Sequence, residues 1–149
     1  TLYDRVIIDM PDPHNEVLNK LYSREFYTMI KRRMTSDGVL VTQSSSPFFT
    51  RRTFWSIERT LADVFDETDS YQVTIPSFGV WGFNLASRSL PNISDLNLAV
   101  ETRYFDDDVM RAALVFGKDM AKIDVPVNSI MEPVLYQLYL DDLNAPVAN

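Results

Sequence analysis

Val6-Ile7-Ile8-Asp9-Met10-Pro11-Asp12-Pro13 is the stretch that decides how this chain folds. Three β-branched apolar residues run into two carboxylates on a turn stiffened by two prolines. That is the pattern of a short buried strand ending at the edge of a sheet. Open α/β sheets bind ligands outside the carboxyl ends of their strands, so the acids stand where chemistry is expected. The prolines fix φ and keep the turn from fraying. Two carboxylates three positions apart can converge on one cationic group or divide the two ends of a diamine between them. Without further context the same pair serves turn formation and helix-entry capping, and that plainer reading stays open beside the chemical one.

Outward from this turn, Leu2 to Ile8 reads as the strand and Pro11 to Leu21 as a polar loop. Ser23 is a natural N-cap for a helix whose apolar face is spaced by Phe26, Met29, Ile30 and Met34, with Asp37-Gly38 as its stop. Val39 to Thr42 is a second buried strand, ending at Gln43 and three serines that read as a turn and cap. Pro47 precedes a helix carrying Phe54, Ile57, Leu61, Val64 and Phe65 on one face. Arg51 and Arg52 fall on the solvated side of that helix. Tyr71 to Ile75 and Phe83 to Ala86 read as strands joined by a loop from Pro76 to Gly82. The succession strand, helix, strand, helix, hairpin is the second half of a doubly wound sheet whose last strand turns antiparallel.

Beyond Ser87 the periodicity is lost. Residues 88 to 105 read as irregular, Asp106 to Phe116 as a helix with acids at its N-terminal end, and Ser129 to Leu143 as a second amphipathic helix before a frayed end. These residues form a C-terminal extension (88–149) packed on the sheet part (1–87).

The composition excludes several classes of function. The 149 residues are 46% hydrophobic, enough for a single domain with a real core. With no cysteine there is no disulfide, thiolate metal site or cysteine nucleophile, and one histidine, His14, argues against histidine-rich metal sites and triads. A net charge of −7 is the wrong sign for a nucleic-acid binder. No apolar run is long enough to span a bilayer, so this stretch reads as soluble and cytoplasmic. Only four glycines occur, and no glycine-rich turn follows any strand. A nucleotide cradle of the usual strand-to-helix kind is therefore missing, and the chain reads as the C-terminal portion of a longer protein.

Taken in order, Tyr3-Asp4, Asp9 through Pro13, Leu21-Tyr22, Phe26-Tyr27, Gly38 through Gln43, Ser46-Pro47 and Pro76 through Phe83 resemble the C-terminal half of the polyamine aminopropyltransferases, the spermidine synthase family. The likeness covers Leu2 to Ser87 well, and Tyr104-Phe105 with Arg111-Ala112-Ala113 more loosely. The wording of the loops resembles the bacterial branch in which a multi-helix membrane region precedes the synthase domain. The resemblance implies an α/β fold: the C-terminal half of a Rossmann-like, class I methyltransferase-type sheet, with parallel strands, a terminal antiparallel hairpin and a C-terminal helical subdomain.

It also implies a reaction, the transfer of an aminopropyl group from decarboxylated S-adenosylmethionine to a diamine such as putrescine. On that resemblance Asp9 matches the catalytic acid that orients and deprotonates the attacking amine. Asp12 matches a second acid that helps hold the diamine, and Gln43 a glutamine of the same cleft. Phe78 stands where the family commonly carries a tyrosine followed by proline, so it keeps a ring but loses a hydroxyl. Trp81 reads first as a packing residue and second as a cleft wall, and Gln43 equally as lining the cleft or as satisfying loop backbone. The resemblance implies no tightly bound cofactor and no metal, nucleoside-binding residues in an upstream half, and an isolated fragment without activity. It leaves room for a homodimer and for an inner-membrane location of the full-length protein, through an upstream region. Two other readings of the same residues are a methyltransferase using S-adenosylmethionine itself and a non-catalytic relative that binds polyamines or serves in dimerisation.

Overall fold

The computed structural model describes residues 1–93 and 99–145. Four strands form one mixed sheet in the order β1-β2-β4-β3: β1 Tyr3–Ile8, β2 Met34–Gln43, β3 Glu67–Ile75 and β4 Gly79–Ser87. β1 and β2 are parallel, with Ile7 opposite Val41 and Ile8 opposite Thr42. β4 runs antiparallel to both β2 and β3. The parallel pair plus antiparallel hairpin is the sheet that the order of elements predicts.

The helices are α1 (Glu16–Asn19), α2 (Arg24–Lys31), α3 (Arg51–Ala62), α4 (Asp107–Ala113) and α5 (Leu135–Asn144). A 3-10 turn, Lys20–Tyr22, links α1 to α2. Among the described residues no helix is long and apolar enough to cross a membrane. The core gathers Ile8 and Leu40 from the parallel strands, Ala86 from β4, Tyr22 and Tyr27, Ile57 and Leu61 from α3, Phe65, and Leu135 from α5. Val64, expected on the α3 face, packs against this cluster from just beyond the helix end.

Several elements differ from the sequence reading, each for a local reason. The expected polar loop from Pro11 to Leu21 contains α1, because the Asn15 side chain accepts from the Leu18 N–H and caps a short turn. Ser23 caps α2 as expected. That helix ends at Lys31, where the Arg33 N–H closes a tight turn on the Ile30 carbonyl. Met34 is therefore a buried strand residue, and Asp37-Gly38 lies inside β2. The register passes from Tyr3 opposite Met34 to Arg5 opposite Val39, so the residues before Val39 bulge out of the ladder. Gly38 fits there because a Cβ would stand 3.1 Å from Met34 Cβ and from the Thr35 and Tyr3 carbonyl oxygens.

The hairpin is tighter than expected. Only residues 76 to 78 connect β3 to β4, closed by the Phe78 N–H on the Ile75 carbonyl and by Gly79 at φ +83°, a left-handed value that favours glycine. Trp81 and Gly82 are consequently strand residues. Gly82 faces the Phe54 ring so closely that a Cβ would lie 2.3 Å from it.

The C-terminal segment returns to the first helices. α4 is shorter than expected, with Asp106 as its N-cap. α5 begins at Leu135 and not at Ser129. Pro133 has no N–H to give, and the buried Asn128 side chain accepts from the Val134 and Leu135 N–H groups, starting the helix there. α5 packs against α3. Arg51 and Arg52, expected to be solvated, clamp this segment: the Arg51 Nε donates to the Ala121 carbonyl at 2.8 Å, and Arg52 pairs with Asp142 at 2.7 Å. The expected fraying of the chain end falls mainly on residues 146–149, outside the described residues.

Candidate active site

The acid turn sits at the carboxyl end of β1, and Gln43 is the last residue of β2 beside it. Asp9, Met10, Pro11, Asp12, Gln43, Phe78 and Trp81 line one open cleft of about 430 Å³. All five residues singled out in the sequence (Asp9, Asp12, Gln43, Phe78 and Trp81) are thus brought together, from two strand ends and one hairpin.

The two acids have different surroundings. Asp9 is exposed, and among the described residues no hydrogen bond or ion pair engages its carboxylate. Asp12 is half-buried and held from both sides. Its Oδ1 accepts from Gln43 Nε2 at 3.1 Å, and its Oδ2 accepts from the Tyr139 hydroxyl at 3.3 Å. One carboxylate is left without a partner at the mouth, whereas the other is held by two side chains.

Gln43 is almost fully buried, and its amide is spent inside the protein. Nε2 also donates to the Met10 carbonyl at 2.9 Å, and Oε1 accepts from the Ser45 N–H. Of its two sequence readings, the geometry combines both: it lines the cleft while satisfying loop backbone. Ser45 pays for this with φ +66°, which costs a non-glycine residue about 1–3 kcal/mol. That conformation is held by the Gly82 N–H donating to the Ser45 carbonyl and by the Ser45–Thr50 hydroxyl pair at 2.7 Å. The serine run is a turn and cap as expected, with Ser46 Oγ accepting from the Phe48 and Phe49 N–H groups.

Two functional residues escaped the sequence reading. Tyr22 is fully buried, and its hydroxyl is shared between the Met10 and Pro11 carbonyls at 3.2 and 3.0 Å. It pins the backbone that carries the acids. Burial first, then the charges of Asp12 and Asp9, push this hydroxyl far above its ordinary range, so it remains a donor. Tyr139 comes from α5, far away in sequence. Burial, and then the Asp12 charge and hydrogen bond, raise its hydroxyl too. Its one sequence signal was a tyrosine within the stripe Leu135, Leu138, Tyr139, Asp142, since a buried phenol needs a partner for its hydroxyl.

The aromatic side of the cleft is hydrophobic. Phe78 is half exposed and stands edge-on to Trp81 with ring centroids 4.9 Å apart. Asp9, Asp12 and this rim together make a site suited to a cation with an apolar chain, charge against carboxylate and methylenes against rings.

An open α/β sheet with an acid-lined cleft at its strand ends is the class that fold and site define. Residues 1–96 match the spermine/spermidine synthase domain, and the chain belongs to that family. It is 38% identical over 141 residues to a polyamine aminopropyltransferase of Oceanobacillus iheyensis, covering 92% of this chain and 28% of that protein. It is 43% identical over 143 residues to polyamine aminopropyltransferase 1 of Streptomyces coelicolor, covering 94% and 27%. The chain therefore spans under a third of the length of these curated relatives. Among solved structures it resembles a spermidine synthase in complex with the transition-state analogue AdoDATO, with TM-score 0.67 and 26% identity over 80% of this chain and 45% of that one. The spermidine synthase of Thermotoga maritima is similar at TM-score 0.65 and 25% identity, covering 80% and 44%.

Proposed function

We propose that this chain forms the amine-binding side of an aminopropyltransferase, which moves the aminopropyl group of decarboxylated S-adenosylmethionine to a diamine such as putrescine. The observation that carries this reading is the convergence of a free acid, a fixed acid and an aromatic rim on one cleft at the strand ends. Family membership and the named relatives support it.

The chemistry follows from the two environments. An alkylammonium has no lone pair and cannot attack. Asp9, uncommitted and at the mouth, takes the proton from the reacting nitrogen. The neutral amine then displaces at the methylene next to the sulfonium. A C–N bond forms, the C–S bond breaks, methylthioadenosine leaves neutral, and the product nitrogen carries the positive charge. Asp12 holds the other ammonium, the rings flank the methylenes, and this alignment lowers the barrier by keeping the nucleophile in line.

Nucleoside recognition is assigned to sequence that the longer relatives have and this stretch does not, consistent with the lack of a glycine-rich turn after any strand. On that assignment the stretch alone is inactive. Placement in the membrane-anchored bacterial branch, with the synthase part on the cytoplasmic side, and a homodimeric state rest on the resemblance of the loops and family alone.

The test is a mass-spectrometric transfer assay on the full-length protein, with putrescine, cadaverine and spermidine as acceptors. Decarboxylated and intact S-adenosylmethionine serve as donors. Aminopropyl addition is the expected product. Methyl addition would make it a methyltransferase, and a folded protein giving no product would make it a non-catalytic relative.

A further inference from the structure

We propose that Tyr139 is a positioning residue for the amine end of the cleft. From α5 it fixes, together with Gln43, the orientation in which Asp12 receives an ammonium, and so sets the preference for diamines over monoamines. The inference rests on the reading above, and its experiment separates the two.

Each carboxylate oxygen has about two acceptor sites. Gln43 Nε2 takes one on Oδ1, and the Tyr139 hydroxyl takes one on Oδ2. The carboxylate plane is thereby set, with one site on each oxygen left for a ligand in the cleft. Among the described residues Tyr139 supplies the one side-chain hydroxyl bonded to a cleft acid, while the rim residue Phe78 has none. Tyr139 also lies beyond residues 1–96, the part that matches the family domain. The fixed acid of the cleft is thus oriented by a segment outside that domain.

Docking of α5 does not depend on this contact. Asp142 accepts from Arg52 Nε and from the Thr53 N–H and hydroxyl, at 2.7, 2.9 and 2.9 Å. Asn128 starts the helix, the Tyr136 N–H donates to Asn19, and Leu135 is fully buried. A Tyr139→Phe protein keeps these contacts and its ring, so it folds, and what it loses is the hydroxyl on Asp12.

The experiment compares wild type, Tyr139→Phe, Asp12→Asn and the double variant in the full-length protein. The acceptors are putrescine and butylamine, a chain of equal length with one nitrogen. Tyr139→Phe is expected to raise the KM for putrescine about tenfold, the scale of one hydrogen bond to a charged group, with kcat changed less than about twofold. The butylamine KM should stay put, and in the Asp12→Asn background the second substitution should add nothing. An equal effect on both amines, a full effect without Asp12, or no effect overturns the proposal. A wild-type protein that transfers nothing counts against the reaction and not against Tyr139, whose effect is then read as the calorimetric Kd for putrescine. Equal Kd values for wild type and Tyr139→Phe overturn the role of Tyr139, and a wild type that binds no diamine overturns both.

Discussion

The sheet part and the segment after Ser87 reach the same cleft by different physical means. In the first, the site residues sit at or beside strand ends: Asp9 follows β1, Gln43 closes β2, and Trp81 lies near the start of β4. Backbone pairing fixes their positions, and hydrophobic burial of Ile8, Leu40 and Ile57 fixes the sheet. In the second, regular structure is short, and single polar side chains do the joining. Asn128 donates to the Asn19 and Tyr22 carbonyls, accepts from the Val134 and Leu135 N–H groups, and has its own N–H on the Thr60 hydroxyl. Asp142 ties α5 to the start of α3. A sheet tolerates many individual losses, whereas a segment held by a few buried polar groups does not, because each group left unpaired costs its full desolvation.

The comparison is sharpest at the first acid. Asp9→Asn should lower turnover of the full-length protein by about 10³-fold, the scale of a lost general base. Its unfolding free energy should change by less than about 0.5 kcal/mol, as for an exposed residue without partners. A normal rate would remove the mechanism proposed here. Asn128→Ala should do the reverse. It is expected to destabilise by about 3 kcal/mol in a urea titration, since several buried groups lose their partner together. Amine binding should weaken only through the loosened α5. An unchanged midpoint would show that the C-terminal segment is held by burial, as the sheet is.

Tyr22 joins the two regimes, being a core residue whose hydroxyl holds the acid turn. Tyr22→Phe should cost about 1 kcal/mol of stability and lower turnover more than Tyr139→Phe does. Equal turnover would mean that Gln43, through its own bond to the Met10 carbonyl, is enough to hold the turn. Phe78→Tyr adds a hydroxyl at the mouth and should shift the ratio of putrescine to cadaverine use by a few-fold. No shift would place the rim out of reach of the substrate.

The smallest effect concerns acid. Burial works to raise the Glu25 carboxyl, but the Ile130 N–H, its own N–H, the Ser23 hydroxyl and the Arg24 charge outweigh it and hold the carboxyl below its ordinary value. A lowered pKa in the folded state means a contribution present above the unfolded value and lost as pH falls through the folded one. Glu25 is only half-buried, so solvent still screens this contribution to a small one. Acidification below the ordinary carboxylate range should therefore lower the protection factor of the Ile130 amide before those of the sheet amides fall. Simultaneous change would break the distinction between the two regions.

Much of the sheet part was legible because its signals are local. Val6-Ile7-Ile8 and Val39 to Thr42 are short runs rich in β-branched residues, and Ser23 is a cap with its partner three residues on. The strands are as read, but β1 lies at the sheet edge with Ile7 exposed and only Ile8 buried, not buried throughout. The five cleft residues could be named because strand ends concentrate them and a family resemblance ordered them. What was misread depends on pairing across distance. Met34 has the spacing of a helix face, but β1 is there to pair with it. Trp81 and Gly82 read as loop until the tight turn at Gly79 lets β4 start early. Arg51 and Arg52 read as solvated because their partners, Ala121 and Asp142, lie 70 and 90 residues away.

The sequence by itself determined the class of sheet, the acid turn and its place at a strand end, since periodicity, proline and cap chemistry act within a few residues. Only the tertiary structure decided which acid is free and which is fixed. That difference comes from the Tyr139 hydroxyl and the Gln43 amide meeting on Asp12, 127 and 31 residues away along the chain, and hydrogen-bond geometry over such separations leaves no periodic trace in a sequence.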